Sequence, residues 1–335
     1  MDEARKRWNS LAKPLGSLGL LEDTIVQIAA LTGNVDVDLS RRALLVFCAD
    51  NGVVAQGVTQ SDSSVTVAVA QALAAGESTV CHMARVARCQ VIPVDMGILD
   101  FPGAPGVLDR RVRNGTADIT QGPAMSREEC IRAIEVGMEL VREQKSAGVS
   151  ILAAGEMGIG NTTTSSAVVS VLLGRPPKEM TGRGAGLSDQ GLRRKIAAIE
   201  QAVKINTPDA NDPVDVLSKV GGLDLAALCG VYLEGGSYRL PVLLDGFIST
   251  AAALCAVRLR PETSAALIAS HVSAEPAGAL LLEALGKKPL ITAQMRLGEG
   301  SGAVAALPLL DMALAVYSSG HTFGKMGLEP YTPQS

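Results

Sequence analysis

A glycine-rich segment with hydroxyl side chains, Gly155–Thr164 (GEMGIGNTTT), has the composition of an anion-binding loop. Its glycines let a ligand approach the backbone closely, and the following Asn and Thr residues predict the start of a helix around Ser165–Leu173. Free N–H groups at a helix start, with hydroxyls beside them, favour the binding of a phosphate. An ordinary strand–turn–helix connection with a threonine cap is the alternative.

The two commonest nucleotide-binding loops are missing from the sequence. There is no G-x-x-x-x-G-K-[ST] pattern, and no correctly spaced G-x-G-x-x-G follows a strand candidate. A single phosphate on a mononucleotide therefore fits better than a diphosphate. A nicotinamide-dependent oxidoreductase on a similar fold is disfavoured for the same reason.

A second glycine-rich segment, Thr181–Gly186 (TGRGAG), precedes a helical pattern that carries Arg193, Arg194 and Lys195. Three basic residues on a helix usually form a solvated face. Beside a glycine loop, one of them could instead neutralise a phosphate.

A third segment, Arg296–Gly302 (RLGEGSG), places Glu299 between glycines ahead of an apolar helix. This carboxylate could be only a favourable partner of the helix dipole, or an accessible base that takes a proton from a substrate. His271 follows an apolar run and is more typical of a hydrogen-bonded structural histidine than of a base. Asp50 and Asp245 could either orient ribose hydroxyls or cap neighbouring turns.

The elements that position these residues can be predicted from the sequence, in which short apolar runs alternate with longer helical patterns. Strand–helix alternation predicts an α/β fold, a parallel sheet with helices on both faces. Polar residues, usually with a glycine, follow every candidate strand, so we expect a ligand site at the carboxyl ends of all five. Ser126–Glu143 has helical spacing with a capping-box pair, whereas Gly97–Pro123 predicts a long irregular loop. The strand candidates are Ala43–Ala49, Gln90–Asp95, Val149–Ala154, Leu240–Asp245 and Ala265–Ser270.

The two ends of the chain lack strand patterns. Leu20–Leu31 predicts an amphipathic helix, and Ala303–Ser318 predicts an apolar helix followed by a polar tail. We therefore predict a small helical domain built from residues 1–30 and 296–335, packed against a large α/β domain of residues 31–295.

The composition excludes several classes of protein. Apolar residues make up 47% of the 335 and charged residues 19%, which is typical of a globular chain. The net charge of −4 and the lack of a long Lys/Arg run argue against nucleic-acid binding. The most apolar stretches are broken by Asp245, Pro308 or Asp311, so no membrane span is expected. The charged start, MDEARKRW, lacks the apolar core of a secretory signal and predicts a cytoplasmic protein.

Six scattered cysteines and three histidines show no metal-ligand spacing. We expect no metal site and no disulfides, with most cysteines acting as small buried apolar residues.

Seven motifs, in this order, resemble those of the nicotinate-nucleotide–dimethylbenzimidazole phosphoribosyltransferases, the CobT family. They cover nearly the whole chain, which makes the resemblance specific. The motifs are Lys13–Glu22, Ala49–Thr59, Gly155–Thr163, Gly182–Leu187, Leu244–Leu254, Ser270–Pro276 and Met295–Ala303.

The resemblance implies a Rossmann-like large domain, a homodimer and no metal or organic cofactor. The reaction it implies moves phosphoribose from nicotinate mononucleotide to a lower-ligand base such as 5,6-dimethylbenzimidazole, giving an α-ribazole 5'-phosphate and nicotinate. It places the catalytic base on Glu299. The phosphate and ribose contacts that we assign are Glu156, Gly158, Ile159, Gly160, Asn161, Thr162, Thr163, Gly182, Gly184, Lys195, Asp245 and Ser273.

One segment departs from the family pattern. Asn51 stands where members commonly have His, and Ser61, Asp62 and Ser63 stand where Tyr-Pro-Gln is usual. Some relatives attach phenols and work as two-chain enzymes, so a phenol-directed subunit of a heterodimer is an alternative. A non-catalytic paralogue that supports a partner chain is another, which the intact Glu299 disfavours. The residues assigned to the acceptor side are Asp50, Asn51, Ser61, Asp62, Ser63 and Leu297.

Overall fold

A computed structural model of the protein describes residues 1–332. Six parallel strands form one sheet in the order β3-β2-β1-β4-β5-β6, and the order reverses between β1 and β4. Such a reversal opens a crevice at the carboxyl ends of the strands. The strands are β1 (Arg42–Ala49), β2 (Gln90–Gly97), β3 (Leu108–Asp109), β4 (Ile151–Met157), β5 (Val242–Leu244) and β6 (Leu267–Ala269).

The five predicted strands are confirmed, with shifted ends. β4 extends three residues beyond the predicted end, because Gly155, Glu156 and Met157 still pair with β1. This extension brings the first residues of the glycine-rich loop into the sheet. The predicted irregular segment Gly97–Pro123 contains a strand, β3, whose two residues are too few to give a sequence pattern.

Helices cover both faces of the sheet, as predicted. α5 begins with the predicted capping box, in which Ser126 Oγ accepts from the Glu129 N–H at 3.1 Å and the Glu129 carboxylate accepts from the Ser126 N–H at 2.8 Å. The helices are α1 (Asp2–Ser10), α2 (Leu20–Thr32), α3 (Ser64–Ala75), α4 (Thr79–Val86), α5 (Arg127–Ser146), α6 (Asn161–Leu173), α7 (Pro177–Met180), α8 (Asp189–Asn206), α9 (Pro213–Val220), α10 (Leu223–Ser237), α11 (Phe247–Leu259), α12 (Gly278–Ala284) and α13 (Ser301–Tyr317).

Two apolar cores lie on opposite faces of the sheet. Alternate residues of β1 point into different cores, since successive side chains of a strand face opposite sides. Leu45 and Phe47 pack with α5, α6, α10 and α11. Leu44 and Val46 pack with α1, α2, α3, α4 and α13.

The terminal helices contact one another on the second face. The Trp8 ring of α1 lies 5.1 Å from the Tyr317 ring of α13, and Tyr317 Oη donates to the Val35 carbonyl at 3.0 Å. α1, α2 and α13 therefore share a core with the sheet. The boundaries of the predicted small domain stay a prediction, and its last residues, 333–335, lie outside the described residues.

One stretch, Ser64–Val86, is long and apolar enough to resemble a membrane span. In the structure it forms two helices, α3 and α4, which separate at Gly76, where φ is +74°. Each helix is shorter than the roughly 20 residues that a span needs.

Candidate active site

A cavity of about 250 Å³ lies at the carboxyl ends of β4, β5 and β6. The loops that follow these three strands form its floor, and three further segments form its walls, namely 58–61, 183–187 and 296–299. Three of the five predicted strand ends therefore meet at one site. The residues directly after β1 and β2 do not line it, although the later part of the β1–α3 connection, residues 58–61, does. The predicted site residues that line the cavity are Glu156, Gly158, Ile159, Gly160, Asn161, Thr162, Gly184, Lys195, Asp245, Ser273, Ser61, Leu297 and Glu299.

The loop between β4 and α6 forms one side of the cavity. α6 begins at Asn161, four residues before the expected start, and its N-cap is Gly160 with φ at +95° rather than a threonine. A Cβ at Gly158 would overlap the Ala49 carbonyl, and one at Gly160 would lie 2.9 Å from a Val54 methyl. These glycines are needed because the loop packs against the residues that follow β1. The ligand approach inferred from sequence is therefore only part of the reason for them.

A buried ammonium stands at the start of α6. Lys195 of α8 is 1% exposed, and its Nζ donates to Thr162 Oγ1 at 2.8 Å. Burial lowers the pKa of Lys195 to about 8, against an opposing effect of the Glu275 carboxylate. A Cβ at Gly184 would lie 3.0 Å from Thr162 Oγ1, so this glycine keeps the space beside the hydroxyl open. An ammonium, a hydroxyl and a helix start together can bind an anion such as a phosphate.

The other two predicted basic candidates on α8, Arg193 and Arg194, are exposed. Arg194 Nε donates to the Gly57 carbonyl at 3.2 Å, outside the cavity. One of the three predicted candidates, Lys195, is therefore placed to meet a ligand.

Glu299 lies on a tight loop directly before α13, in the connection from α12. Its φ is +58°, and Gly298 and Gly300 on either side also have positive φ. The Glu299 N–H donates to the Glu156 carbonyl at 3.2 Å. The side chain is 9% exposed, and its Oε2 has no hydrogen-bond partner among the described residues. Glu299 lines the cavity, and no protein group among the described residues satisfies this buried oxygen.

Further carboxylates surround this end of the cavity. Burial raises the pKa of Glu156, and the charges of Asp224, Asp245 and Glu299 raise it further. Burial raises the pKa of Asp224 and of Asp245 to about 6 each. Asn161 Nδ2 joins two of them, since it donates to Glu156 and, at 3.0 Å, to Asp224. The charged neighbours of Glu156 are thus anionic, and a group with positive charge is favoured beside it.

Asp245 and His271 bind protein groups. Asp245 accepts from the N–H groups of Gly300 and Gly302, at 3.1 and 2.7 Å, which is the capping alternative considered above. His271 Nδ1 lies 3.1 Å from Ser270 Oγ, and burial lowers the histidine pKa. His271 is thus hydrogen-bonded and buried, as the sequence suggested.

Two predicted acceptor-side residues contact the loop between β4 and α6 on the side away from the cavity, and they do not line the cavity. Asp50 accepts from Thr66 Oγ1 at 2.7 Å, and Thr66 Oγ1 in turn accepts from the Ile159 N–H at 3.1 Å. Asn51 Nδ2 donates to the Ile159 carbonyl at 3.3 Å. Both residues therefore fix the position of Ile159.

The remaining predicted residues also lie outside the cavity lining. Asp62 is exposed and accepts from the Ser64 N–H at 3.0 Å, next to a half-buried Ser63. Thr163 is fully buried within α6. Gly182 lies beneath the Glu275 carboxylate, which occupies the place of a Cβ.

Sequence analysis missed several polar residues at the site, including Asp224, Glu275 and Arg296. Asp224 contacts Asn161 from the start of α10, while Glu275 and Arg296 line the cavity. Among the described residues, no three His, Cys, Asp or Glu side chains are grouped so that they could hold a metal ion.

Known proteins resemble this chain along its whole length. A family model described as phosphoribosyltransferase (DBI_PRT) matches residues 1–328. The nicotinate-nucleotide–dimethylbenzimidazole phosphoribosyltransferase of Ruminiclostridium cellulolyticum is 48% identical over 99% of this chain and 95% of its own length. The enzyme of the same name from Clostridium acetobutylicum is 42% identical over 99% of this chain and 95% of its own length.

Solved structures agree with the sequence relatives. The crystal structure of CobT from Thermus thermophilus matches with a TM-score of 0.92 at 42% identity, over 98% of each chain. The identity is high and the coverage nearly complete in both comparisons. The chain therefore belongs to the nicotinate-nucleotide–dimethylbenzimidazole phosphoribosyltransferase (CobT) family.

Proposed function

We propose that this chain transfers phosphoribose from nicotinate mononucleotide to 5,6-dimethylbenzimidazole, giving α-ribazole 5'-phosphate and nicotinate for the lower ligand of cobalamin. The observation that carries the proposal is the division of charge in one cavity. A buried ammonium at a helix start, Lys195, suits the phosphate. A separate group of carboxylates around Glu299 suits the cationic ring, the ribose and the proton that the acceptor loses.

The reaction needs little more than placement and a base. The bond between ribose C1' and the pyridinium nitrogen breaks, and its electron pair neutralises the ring, so nicotinate leaves readily. A benzimidazole nitrogen attacks C1' from the opposite face, which converts the β linkage to α. The proton that this acceptor loses passes to the Glu299 carboxylate. Inversion in one displacement requires no covalent intermediate on the protein.

Each end of the cavity then has a distinct task. Lys195, Thr162 and the start of α6 hold the phosphate, which converts binding energy remote from C1' into orientation. A cationic donor ring would favour the ionised forms of Glu156 and Asp245, whose pKa values burial raises, and their negative charge would then stabilise positive charge that develops on the ribose.

The test is to incubate the purified chain with nicotinate mononucleotide and dimethylbenzimidazole, and to identify the products by mass spectrometry. We expect α-ribazole 5'-phosphate and an equal amount of nicotinate. A donor without the cationic ring, such as ribose 5-phosphate, is the matched control and should give no product. Absence of product with the correct donor would refute the proposal.

A phenol acceptor is the second candidate, because Ser61 of the departing segment lines the cavity. Ser61 takes the place of a tyrosine in the pattern that the chain resembles, so it leaves room beside the acceptor. Ser61→Tyr should shift the ratio of benzimidazole to phenol turnover, whereas Asp62→Pro, at an exposed neighbour, should not. Equal ratios in wild type and Ser61→Tyr would show that another residue selects the acceptor.

We further propose a homodimer in a reducing compartment such as the cytoplasm, with a heterodimer as the alternative. All six cysteines are free and buried, which suits a reducing environment. Met312 and Val316 expose apolar surface on α13, where a second chain could pack. Light scattering of the purified chain should give twice the monomer mass; a monomer that dimerises only with a second protein would support the heterodimer.

A further inference from the structure

We infer that Asp245 is a positioning residue for Glu299 and not a ligand of the substrate ribose. This inference rests on the proposed function and assigns a role within the same site. Asp245 follows β5 at the cavity floor and is 3% exposed. Both of its carboxylate oxygens are directed at the loop that carries Glu299.

The two hydrogen bonds of Asp245 divide its carboxylate between two donors. Oδ1 accepts from the Gly302 N–H at 2.7 Å, and Oδ2 accepts from the Gly300 N–H at 3.1 Å. These N–H groups lie at the start of α13, where an anion is favoured by the helix dipole. The carboxylate thus fixes the residue directly after Glu299 and the first turn of the helix.

The backbone of Glu299 needs such a constraint. Its φ of +58° is in the left-handed region, which a residue with a Cβ avoids unless the surroundings impose it. The Glu156 carbonyl holds the Glu299 N–H on one side, and Asp245 holds Gly300 on the other. If the Asp245 bonds were lost, Glu299 could relax and its carboxylate would leave the cavity wall.

Two steric contacts complete the support but carry no polar bond. A Cβ at Gly155 of β4 would lie 2.6 Å from the Glu299 carbonyl carbon, and one at Gly302 would overlap the His271 ring. The loop is therefore packed between β4 and His271. Asp245 is the side chain that accepts hydrogen bonds from it.

Replacing Asp245 with asparagine keeps the shape but removes one acceptor. The amide nitrogen would face a backbone N–H donor, which leaves that donor unsatisfied in a buried place. A double-mutant cycle of Asp245→Asn and Glu299→Gln, with kcat and the nucleotide KM measured for each variant, tests the role. We expect Asp245→Asn to lower kcat about tenfold or more, while the nucleotide KM changes less than about threefold.

The double variant distinguishes a positioning role of Asp245 from a ribose-binding role. If Asp245 acts through Glu299, Asp245→Asn should lower kcat by less than about threefold in the Glu299→Gln background. If it binds the ribose, the nucleotide KM rises and the two losses multiply. If Glu299→Gln has little effect while Asp245→Asn lowers kcat, Asp245 does not act through Glu299. Either of the last two results overturns the inference.

Matched variants separate positioning from general stability. Asp95→Asn removes a buried carboxylate that also accepts two backbone N–H bonds at the end of a strand, from Gly97 at 2.9 Å and Ile98 at 2.8 Å, but lies outside the cavity lining. It should leave kcat unchanged. Gly155→Ala should displace the Glu299 loop from the opposite side and lower kcat, whereas Gly122→Ala, where a Cβ meets open space, should not.

A crystal structure of Asp245→Asn tests the inference without any activity. We expect Glu299 to leave the left-handed conformation and residues 298–301 to shift. An unchanged loop would overturn the inference even if the proposed reaction is confirmed. Absence of α-ribazole phosphate from wild type, together with a displaced loop in the variant, would refute the proposed reaction alone.

Discussion

The carboxyl edge of the sheet has two halves that look alike in sequence and differ in what they do. Asp50 follows β1 and Asp95 lies near the end of β2, whereas Glu156 and Asp245 stand at the ends of β4 and β5; all four are buried. In the first half the carboxylates bond directly to groups of that same half. Asp95, for example, accepts hydrogen bonds from the N–H groups of Gly97 and Ile98 and forms an ion pair with Arg111 at 2.7 Å. In the second half they reach other segments and face the cavity. A polar residue near the end of a strand therefore indicates a ligand site only when the groups that bond to it leave part of its surroundings open to a cavity.

The segment between β2 and α5 explains the difference. Its residues cover the ends of β1 and β2, since the Thr116 N–H donates to the Asp50 carbonyl at 3.0 Å and a Cβ at Gly52 would lie 2.6 Å from the Asp118 nitrogen. The segment that contacts the ends of β4 and β5, residues 298–302, forms one wall of the cavity and leaves the space beside it open. The cavity opens beside the reversal of strand order, as expected of an open parallel sheet.

The largest effect should come from Glu299→Gln in the open half. General-base catalysis is typically worth about 10²–10⁴-fold, so kcat with a benzimidazole should fall by roughly that factor. The nucleotide KM should change little, because glutamine keeps the shape of the side chain. A phenol that is already ionised should depend less on Glu299. The measurement is kcat for both acceptors across pH, and a loss below about tenfold with a benzimidazole would contradict the role.

Lys195→Met should have the next largest effect, on nucleotide binding. A charged hydrogen bond is worth about 1.5–3 kcal/mol, so the nucleotide KM should rise about 10–100-fold. Arg193→Met, an exposed neighbour on α8, is the control and should change KM little. An equal effect of both substitutions would show that general charge, and not this ammonium, attracts the nucleotide.

The pH dependence of the nucleotide KM follows from the same residue. The pKa of Lys195 in the free protein is about 8, and a bound phosphate dianion would raise it. Affinity should therefore be complete well below pH 8 and decrease as pH rises through and above it, because the neutral amine must then take up a proton before it can bind the phosphate. Wild type should show this rise in KM and Lys195→Met should not. A parallel rise in both would assign the titration to another group.

Much of the fold could be predicted because buried parallel strands give short apolar runs. β3 could not, since two residues give no period. The sequence contained a signal that could have distinguished Lys195 from its arginine neighbours as the buried cation. Lys195 lies on the same helical face as Ile199 and Ala202, which are buried. Asp224 gave no local signal, because its contact with Asn161 depends on how α10 packs against α6.

Asp50→Asn should have a moderate effect, because Asp50 supports the open half through Thr66. Asparagine offers one acceptor where Asp50 has two, for Thr66 Oγ1 and for the Leu99 N–H at 2.9 Å. The Ile159 N–H would then lose a fixed partner, and we expect the nucleotide KM to rise roughly 3–10-fold, the scale of one neutral hydrogen bond. Thr66→Val should give a similar rise, and the two substitutions together should not add. Additive losses would show that Asp50 acts by another route.

The smallest effect on activity should come from Asp95→Asn in the closed half. Asp95 is buried, and its bonds to Gly97, Ile98 and Arg111 hold the end of β2 against the segment that covers it. Asparagine can still accept both backbone bonds through one oxygen, but it loses the ion pair with the partly exposed Arg111. We expect the free energy of unfolding in urea to fall by about 1–3 kcal/mol, with kcat and both KM values unchanged. A loss of kcat without a loss of stability would mean that the closed half takes part in the reaction, and the contrast between the two halves would then fail.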